Sequence, residues 1–327
     1  ELRGNVRILA RARSAPGQTD NLSFGSDGPG LTLNGRPFEF DRVFSASSTQ
    51  DDVFDEVAGV VQSAIDGHSV SVLAYGQTGS GKTYTVDLGK YGLQCGIIPR
   101  ALELILQQTY VLTEDGRTHQ MEVSALQVYN ETIQDLLDSG GANLELRMAS
   151  KISVQGLSSA QVRNIEDVQE LLIRASKNRC TAKTAANAVS SRSHCVTKVS
   201  IAGSHASSED RSDDLLHLVD LTGRERVARS SVTCDFMKEA QAMNTSPSAL
   251  SGVFNAIDKG SKHVPYRDSK LTSLLQSCFS SGGKVQTVVN VVADARPRPR
   301  PCGCCILQIM SRNAPLGPKK LRHPIQA

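Results

Sequence analysis

The chain has 327 residues, 39% of them hydrophobic and 21% charged, with a formal net charge of +3. That length suits one large α/β domain or two smaller ones, and so small a charge does not by itself point to nucleic acid. No run approaches the eighteen or so apolar residues that a membrane span needs, so no membrane partner is expected.

In chain order, Val6-Arg7-Ile8-Leu9-Ala10-Arg11 reads as a strand, and Pro37 to Phe44 alternates like a second. From Thr49 the pattern turns helical: Val53, Phe54, Val57, Val60, Val61, Ala64 and Ile65 share one stripe, Thr49 is the N-cap and Gly67 the stop. Ser69 to Ala74 is short, apolar and β-branched, a buried strand. A helix runs through Ile97-Ile98-Pro99-Arg100, where the proline marks a kink or a restart. Met121 to Tyr129 is a long strand, and Ser139-Gly140-Gly141 a loop tip. Asn164 caps a helix whose stripe is Val168, Leu171, Leu172 and Ala175. Leu215 to Val219 is a buried strand that delivers Asp220 at its carboxyl end, where open parallel sheets bind ligands. Ser246-Pro247 reads as an N-cap followed by the first helical position, opening a helix through Leu250, Val253, Phe254 and Ile257. No repeat or low-complexity linker divides residues 6 to 292, so we expect one domain; Arg296 to Pro301 is the one biased tract.

The most informative stretch is Ala74 to Thr85. Gly76 and Gly81-Lys82-Thr83 stand at the G-x-x-x-x-G-K-[ST] spacing of a P-loop. Glycines let successive backbone N–H groups turn inward on phosphate oxygens. Lys82 supplies a point charge for the outer phosphates, and the Thr83 hydroxyl is a ligand for Mg²⁺. A glycine-rich turn without a ligand is the plainer alternative; strand, loop and helix in the right order argue against it. The eight cysteines are scattered apart from Cys302, Cys304 and Cys305. No second Cys or His pair stands near those at ligand spacing, so they read as reduced thiols rather than a metal site.

Two further segments narrow the class. Asn187-Ala188-Val189-Ser190-Ser191-Arg192-Ser193-His194 packs hydroxyls around an arginine. Asp220-Leu221-Thr222-Gly223-Arg224-Glu225 places a carboxylate, a glycine N–H and an acid together. Each alone is weak. With the P-loop, and in this order, they resemble the N-x-x-S-S-R-S-H and D-L-x-G-x-E switches of kinesin motor domains. The resemblance extends over residues 3 to 320: Phe38 to Phe44, Gly96 to Arg100, Val128 to Glu131, His263 to Thr272 and Leu316 to Lys320 are all kinesin-like. Glu1 to Arg7 is similar to the neck-to-motor junction of the minus-end-directed kinesins (kinesin-14) that carry their motor at the C-terminus.

The resemblance implies an α/β fold, a mostly parallel central sheet flanked by helices on both faces. Residues 1–5 would end the neck, 6–320 form the motor, and 321–327 a tail. Gly76, Gln77, Thr78, Gly79, Ser80, Gly81, Lys82, Thr83 and Tyr84 would hold ATP, with Arg11 and Arg13 near the adenine. Thr83 and Ser191 would bracket Mg²⁺, and Asp220 would reach it through water. Ser190 and Gly223 would face the γ-phosphate. Arg192 and Glu225 would form a bridge that closes over it and orders the attacking water.

The same resemblance makes the partner a microtubule and the location cytoplasmic and cytoskeletal, with spindle or centrosome among the places. Lys259, Lys262, His263, Arg267 and Lys270 form a basic stretch against Asp268, suited to an acidic polymer such as tubulin. Self-association would use an N-terminal coiled coil outside this sequence. The expected activity is a microtubule-stimulated, minus-end-directed ATPase motor. The rival is a microtubule-binding or crosslinking module with weak or uncoupled hydrolysis.

Several positions depart from the family pattern. Ser14 stands where the adenine side has proline, Gln127 replaces the acid of E-I-Y-N-E, and Thr222 and Arg224 alter D-L-A-G-S-E. Thr245 and Pro247 replace the lysine and leucine of N-K-S-L, and the terminal pattern survives only in Leu307 to Arg312. Neighbouring side chains in extended backbone point opposite ways, so Arg224 leaves Glu225 to Arg192. We therefore expect hydrolysis retained, with the relay changes slowing or uncoupling the response to microtubules.

Overall fold

The structure, a computed structural model, describes residues 6–13, 22–24, 30–33, 35–86, 94–114, 117–138, 140, 143–148, 152–181, 193–205, 208–223, 234–279 and 282–292. Its centre is β6 (Val70–Gly76), buried at every position. Such a strand is apolar at nearly every position, Ser71 apart, because both sheet faces are covered. It runs parallel to β13 (Ser208–Asp220) on one side and β14 (Lys284–Val292) on the other. Beyond β14, β1 (Val6–Arg13) and β5 (Arg42–Phe44) continue the parallel half. Beyond β13 the sheet turns antiparallel through β12 (His194–His205), β7 (Arg117–Tyr129), β8 (Thr132–Asp135), β9 (Asn143–Met148) and β10 (Ile152–Gln155). With β11 (Ala160–Val162) paired to β7, this makes one eleven-stranded mixed sheet whose parallel strands surround the P-loop. A separate three-stranded sheet joins β2 (Leu22–Phe24), β3 (Gly30–Leu33) and β4 (Arg36–Glu39).

Helices cover both faces. On one side α1 (Gln50–Ile65), α3 (Ile97–Glu114) and α4 (Ile165–Thr181) bury Val57, Val61, Leu102, Ile105, Val168 and Leu172 against the sheet. On the other, α5 (Cys234–Asp258) and α6 (Lys270–Leu274) pack Leu250, Phe254, Leu271 and Leu275 around Leu73, Val128 and Val289. Burying each such side chain contributes about 1.5–3 kcal/mol.

The local signals act as their chemistry requires. Thr49 Oγ1 accepts from Asp52 N at 3.1 Å while Asp52 Oδ2 accepts from Thr49 N at 2.7 Å, a closed capping box. The Thr49 N–H, and with it the Thr49 hydroxyl donating to Asp52 Oδ2 at 2.8 Å, hold the Asp52 carboxyl below its ordinary pKa. Asn164 Oδ1 accepts from Asp167 N at 2.8 Å and starts α4. Pro99 lies in the first turn of α3, where no helical partner is needed for its missing N–H. It marks a restart after the short α2 (Lys82–Val86).

Two expectations are corrected. Pro37 to Phe44 is not one strand: β4 belongs to the small sheet and β5 to the large one. Asp41 makes the break, since its N–H donates to Ile8 O at 2.8 Å and its carboxylate accepts from Ile8 N at 2.6 Å. Nor do Ser246 and Pro247 start a helix. Pro247 lies inside α5, which begins at Cys234. Ser246 Oγ donates to Glu131 Oε1 at 2.8 Å instead of capping. Glu131 and Asn130 form the turn between β7 and β8 with φ of 55° and 50°, a left-handed conformation that costs an L-residue about 1–2 kcal/mol.

Candidate functional site

β6 reaches its carboxyl end at Gly76, where a Cβ would overlap the Asn290 carbonyl oxygen of β14 and lie 2.5 Å from Ser80 Oγ. Only glycine lets the two strands and the loop approach this closely. The turn then closes with Ser80 N donating to Gln77 O at 3.2 Å. Lys82 is buried, and its Nζ donates to Gln77 O at 2.8 Å, so the cation folds back over the loop that precedes it.

The end of β13 meets this loop, and the ends of α4 and β12 in turn hold that segment. Thr83 Oγ1 donates to Asp220 Oδ2 at 3.1 Å, bringing the end of β13 against α2. Arg179, from the last turn of α4, donates to the same Asp220 oxygen at 3.0 Å and to Ser193 O at 3.4 Å. Asp220 Oδ1 is buried without a hydrogen-bond partner among the described residues. Three residues on, a Cβ at Gly223 would overlap the Thr78 side chain and lie 2.8 Å from Thr78 N and 3.0 Å from its Cα. His194 Nδ1 accepts from Thr222 N at 3.1 Å and so ties the start of β12 to the segment after β13. Burial first, then the charges of Arg179 and Lys82, push its pKa down to about 3. The ring is therefore neutral and free to accept.

A cavity of about 410 Å³ opens beside the loop, lined by Arg11, Arg13, Ser48, Ser80, Tyr84 and Asn290 among others. Arg11 is buried in its wall, donating to Gln50 Oε1 at 2.7 Å and Thr85 Oγ1 at 3.1 Å, with its guanidinium 5.2 Å from the centre of the Tyr84 ring. Burial lowers its pKa, partly offset by Tyr84. Arg13 Nη1 donates to the Gly79 carbonyl at 2.7 Å.

The basic stretch lies elsewhere, after α5. Lys259, Lys262, His263 and Arg267 are exposed and Lys270 half-buried, so these cations share one solvent-facing segment. A 3-10 turn at Tyr266–Asp268 leads into α6, whose capping box pairs Ser269 with Thr272. Thr272 Oγ1 and Ser273 Oγ donate to Tyr266 O at 2.8 and 3.0 Å and hold the turn.

Of the residues singled out from the sequence, Arg11, Arg13, the loop from Gly76 to Tyr84, Asp220 and Gly223 come together at one end of the sheet. Ser190, Ser191, Arg192 and Glu225 lie outside the described residues, as do Glu1 to Asn5 and Leu316 to Lys320. Sequence reasoning passed over Arg179, Gln50 and Asn290, and it quoted His194 in the hydroxyl-rich motif without giving it a role. Arg179 had a signal: it falls four residues after Ala175 on the buried stripe of α4, where a cation needs a partner.

A loop that cradles phosphate after a central parallel strand, met by an aspartate from the neighbouring strand end, defines a P-loop nucleotide-binding fold. Residues 29–298 match the profile of the family described as Kinesin motor domain. The chain belongs to the kinesin motor-domain family, and several of its curated relatives carry KIN-14 names. It is 40% identical over 312 residues to the kinesin-like protein KIN-14N of Oryza sativa subsp. japonica, covering 89% of this chain and 41% of that one. It thus spans about two fifths of the length of the curated relatives it matches. Among solved structures, the motor and motor homology domain of Kar3Vik1 fused to a synthetic heterodimeric coiled coil aligns with TM-score 0.81 and 31% identity over 95% of this chain and 86% of that one. A fast kinesin, described with implications for ATPase mechanism and microtubule interactions, aligns with TM-score 0.84 and 30% identity over 98% and 97% of the two chains.

Proposed function

We propose that this chain is a motor domain that hydrolyses ATP under microtubule stimulation, with residues 6–320 as the motor unit. The observation that carries the reading is the meeting of Asp220 and Gly223 with Thr83 and Thr78, at 3.1 Å for the first pair and with no room for a Cβ at the second. Groups placed so respond together to whatever occupies the loop.

Lys82 would exchange the Gln77 carbonyl for the outer phosphates of ATP, and Ser190 and the Gly223 N–H would face the γ-phosphate. Arg192 and Glu225 would close over it and order a water for in-line attack, giving ADP and phosphate; positioning and charge supply the catalysis. Unprotonated His194 keeps Thr222 N engaged, which fixes the approach of Gly223. Tyr84, Arg11 and Arg13 line the cavity that would take the base and ribose.

The residues present fit Mg²⁺: the unpartnered, buried Asp220 Oδ1 and the adjacent Thr83 hydroxyl are the hard oxygen donors it prefers. Thr83, Ser191 and Asp220 would hold it, directly or through water. When bound, it would neutralise charge on the phosphate oxygens.

Lys259, Lys262, His263, Arg267 and Lys270 would meet the acidic tubulin surface, and α5 would relay between that surface and the nucleotide. Minus-end direction and assembly through an N-terminal coiled coil complete the proposal, and the likeness to proteins named KIN-14 supports them. Pro247 supports a second reading, a nucleotide-holding crosslinker, because it removes one helical hydrogen bond inside that relay. Steady-state ATP hydrolysis with and without microtubules separates them. Stimulated turnover supports the motor, and a flat response with retained microtubule binding supports the crosslinker.

A further inference from the structure

Glu131 lies outside the nucleotide pocket and outside the basic stretch, yet its carboxylate joins two elements of the far surface to the sheet. Oε1 accepts from Ser246 Oγ on α5 at 2.8 Å, and Oε2 accepts from the Lys270 backbone N–H at 2.7 Å. Hydrogen bonds to a carboxylate are about twice as strong as neutral ones. Among the described residues, Asn130 and Glu131 are the non-glycine residues with positive φ. A two-residue hairpin of this hand ordinarily takes glycine at its second position. Strain of this kind persists where the surroundings hold it in place, and it clusters at functional points. Here the holding contacts are the two bonds of the carboxylate.

The turn also stands at the nucleotide end of the sheet. Val128, just before it on β7, pairs with His194 of β12. Cys195, next along β12, pairs with Asp220 at the end of β13. One side chain at that end therefore grips both α5 and the entry to α6, the two elements that flank Lys259 to Arg267.

We propose that Glu131 is a positioning residue that fixes α5 and the start of α6 to the sheet, so that engagement of the basic surface is transmitted to nucleotide turnover. This rests on the motor reading above, and the experiment separates the two. Glu131→Gly removes the carboxylate while relieving the left-handed backbone, and the thermal midpoint then separates a loss of coupling from a loss of fold. Steady-state turnover is measured across a microtubule titration, together with the thermal midpoint and the ATP KM.

The expected result is an unchanged or higher midpoint, with basal turnover and ATP KM within about twofold of wild type. Microtubule stimulation falls about tenfold, and the half-saturating microtubule concentration rises, as losing a charge-assisted hydrogen bond implies. Glu131→Gln falls between wild type and Glu131→Gly, because its carbonyl oxygen accepts from Lys270 N and its amide donates to Ser246 Oγ while the charge that strengthens both bonds is lost. Ser246→Ala, which cuts only the α5 arm, lowers stimulation about threefold, and it carries the test alone if Glu131→Gly does not fold. Wild-type stimulation and half-saturation in Glu131→Gly and Ser246→Ala overturn the proposal, as does an equal fall in basal and stimulated turnover. A wild-type chain without microtubule stimulation removes the motor reading, and this inference with it.

Discussion

The Arg179 guanidinium stands 3.0 Å from the Asp220 carboxylate, with only 7% and 4% of the two side chains exposed. The pair ties the last turn of α4 to the end of β13. Removing one partner of such a pair leaves a buried charge uncompensated, which costs about 3–5 kcal/mol. We predict a loss of that size for Arg179→Ala in urea unfolding. Arg179→Lys recovers part of it, since a single ammonium cannot reach both Asp220 and the Ser193 carbonyl.

Gly223 tests the contact between the second segment and the P-loop. Gly223→Ala drives a methyl group into Thr78, and misplacement by about 1 Å at a reacting site costs on the order of a hundredfold in rate. We expect ATP turnover to fall by about that factor. Thr78→Ala does not rescue it, because Thr78 N and Cα, at 2.8 and 3.0 Å from the added Cβ, remain. Full rescue in the double variant would show that only the Thr78 side chain matters.

Much of this was legible in the residues themselves. The P-loop spacing, the Thr49 and Asn164 caps and the buried run of β6 are local signals, and local chemistry decides them. What escaped depends on partners far along the chain. Arg179 and Asp220 are 41 residues apart, and Glu131 and Ser246 are 115 apart. No window around Ser246-Pro247 tells that the serine serves Glu131 rather than a helix start. β12 was missed although Val199 and Ile201 alternate with Lys198 and Ser200, because the hydroxyl-rich segment before it drew attention to a loop.

Stability should depend on pH through two buried histidines. Burial, before any nearby cation, pushes both His194 and His217 down to about 3 from an ordinary 6.5. The folded chain keeps both neutral, while the unfolded chain takes up protons below 6.5. The stability they contribute is therefore whole above that value and lost as pH falls toward 3. Together they give a slope of about 2.7 kcal/mol per pH unit below pH 6. Denaturant midpoints between pH 7.5 and 5 check this, and His217→Gln should halve the slope.

Gln127 is buried and donates to Gln134, directly across the β7–β8 ladder, at 2.7 Å. Restoring the family acid with Gln127→Glu would bury a carboxylate opposite a neutral amide. We predict a loss of about 2–4 kcal/mol in stability, largely recovered by adding Gln134→Arg. Equal stability of Gln127→Glu and wild type in thermal unfolding would contradict the cross-strand account.

The central claim is that the state of the terminal phosphoryl group reshapes the surface carrying Lys259 to Lys270. Its direct measure is microtubule affinity by cosedimentation, with a non-hydrolysable ATP analogue and then with ADP. We predict affinities at least about tenfold apart, a coupling near 1.4 kcal/mol, and collapse of the difference in Lys82→Ala. Equal affinity with the two nucleotides, each shown to be bound, would contradict it.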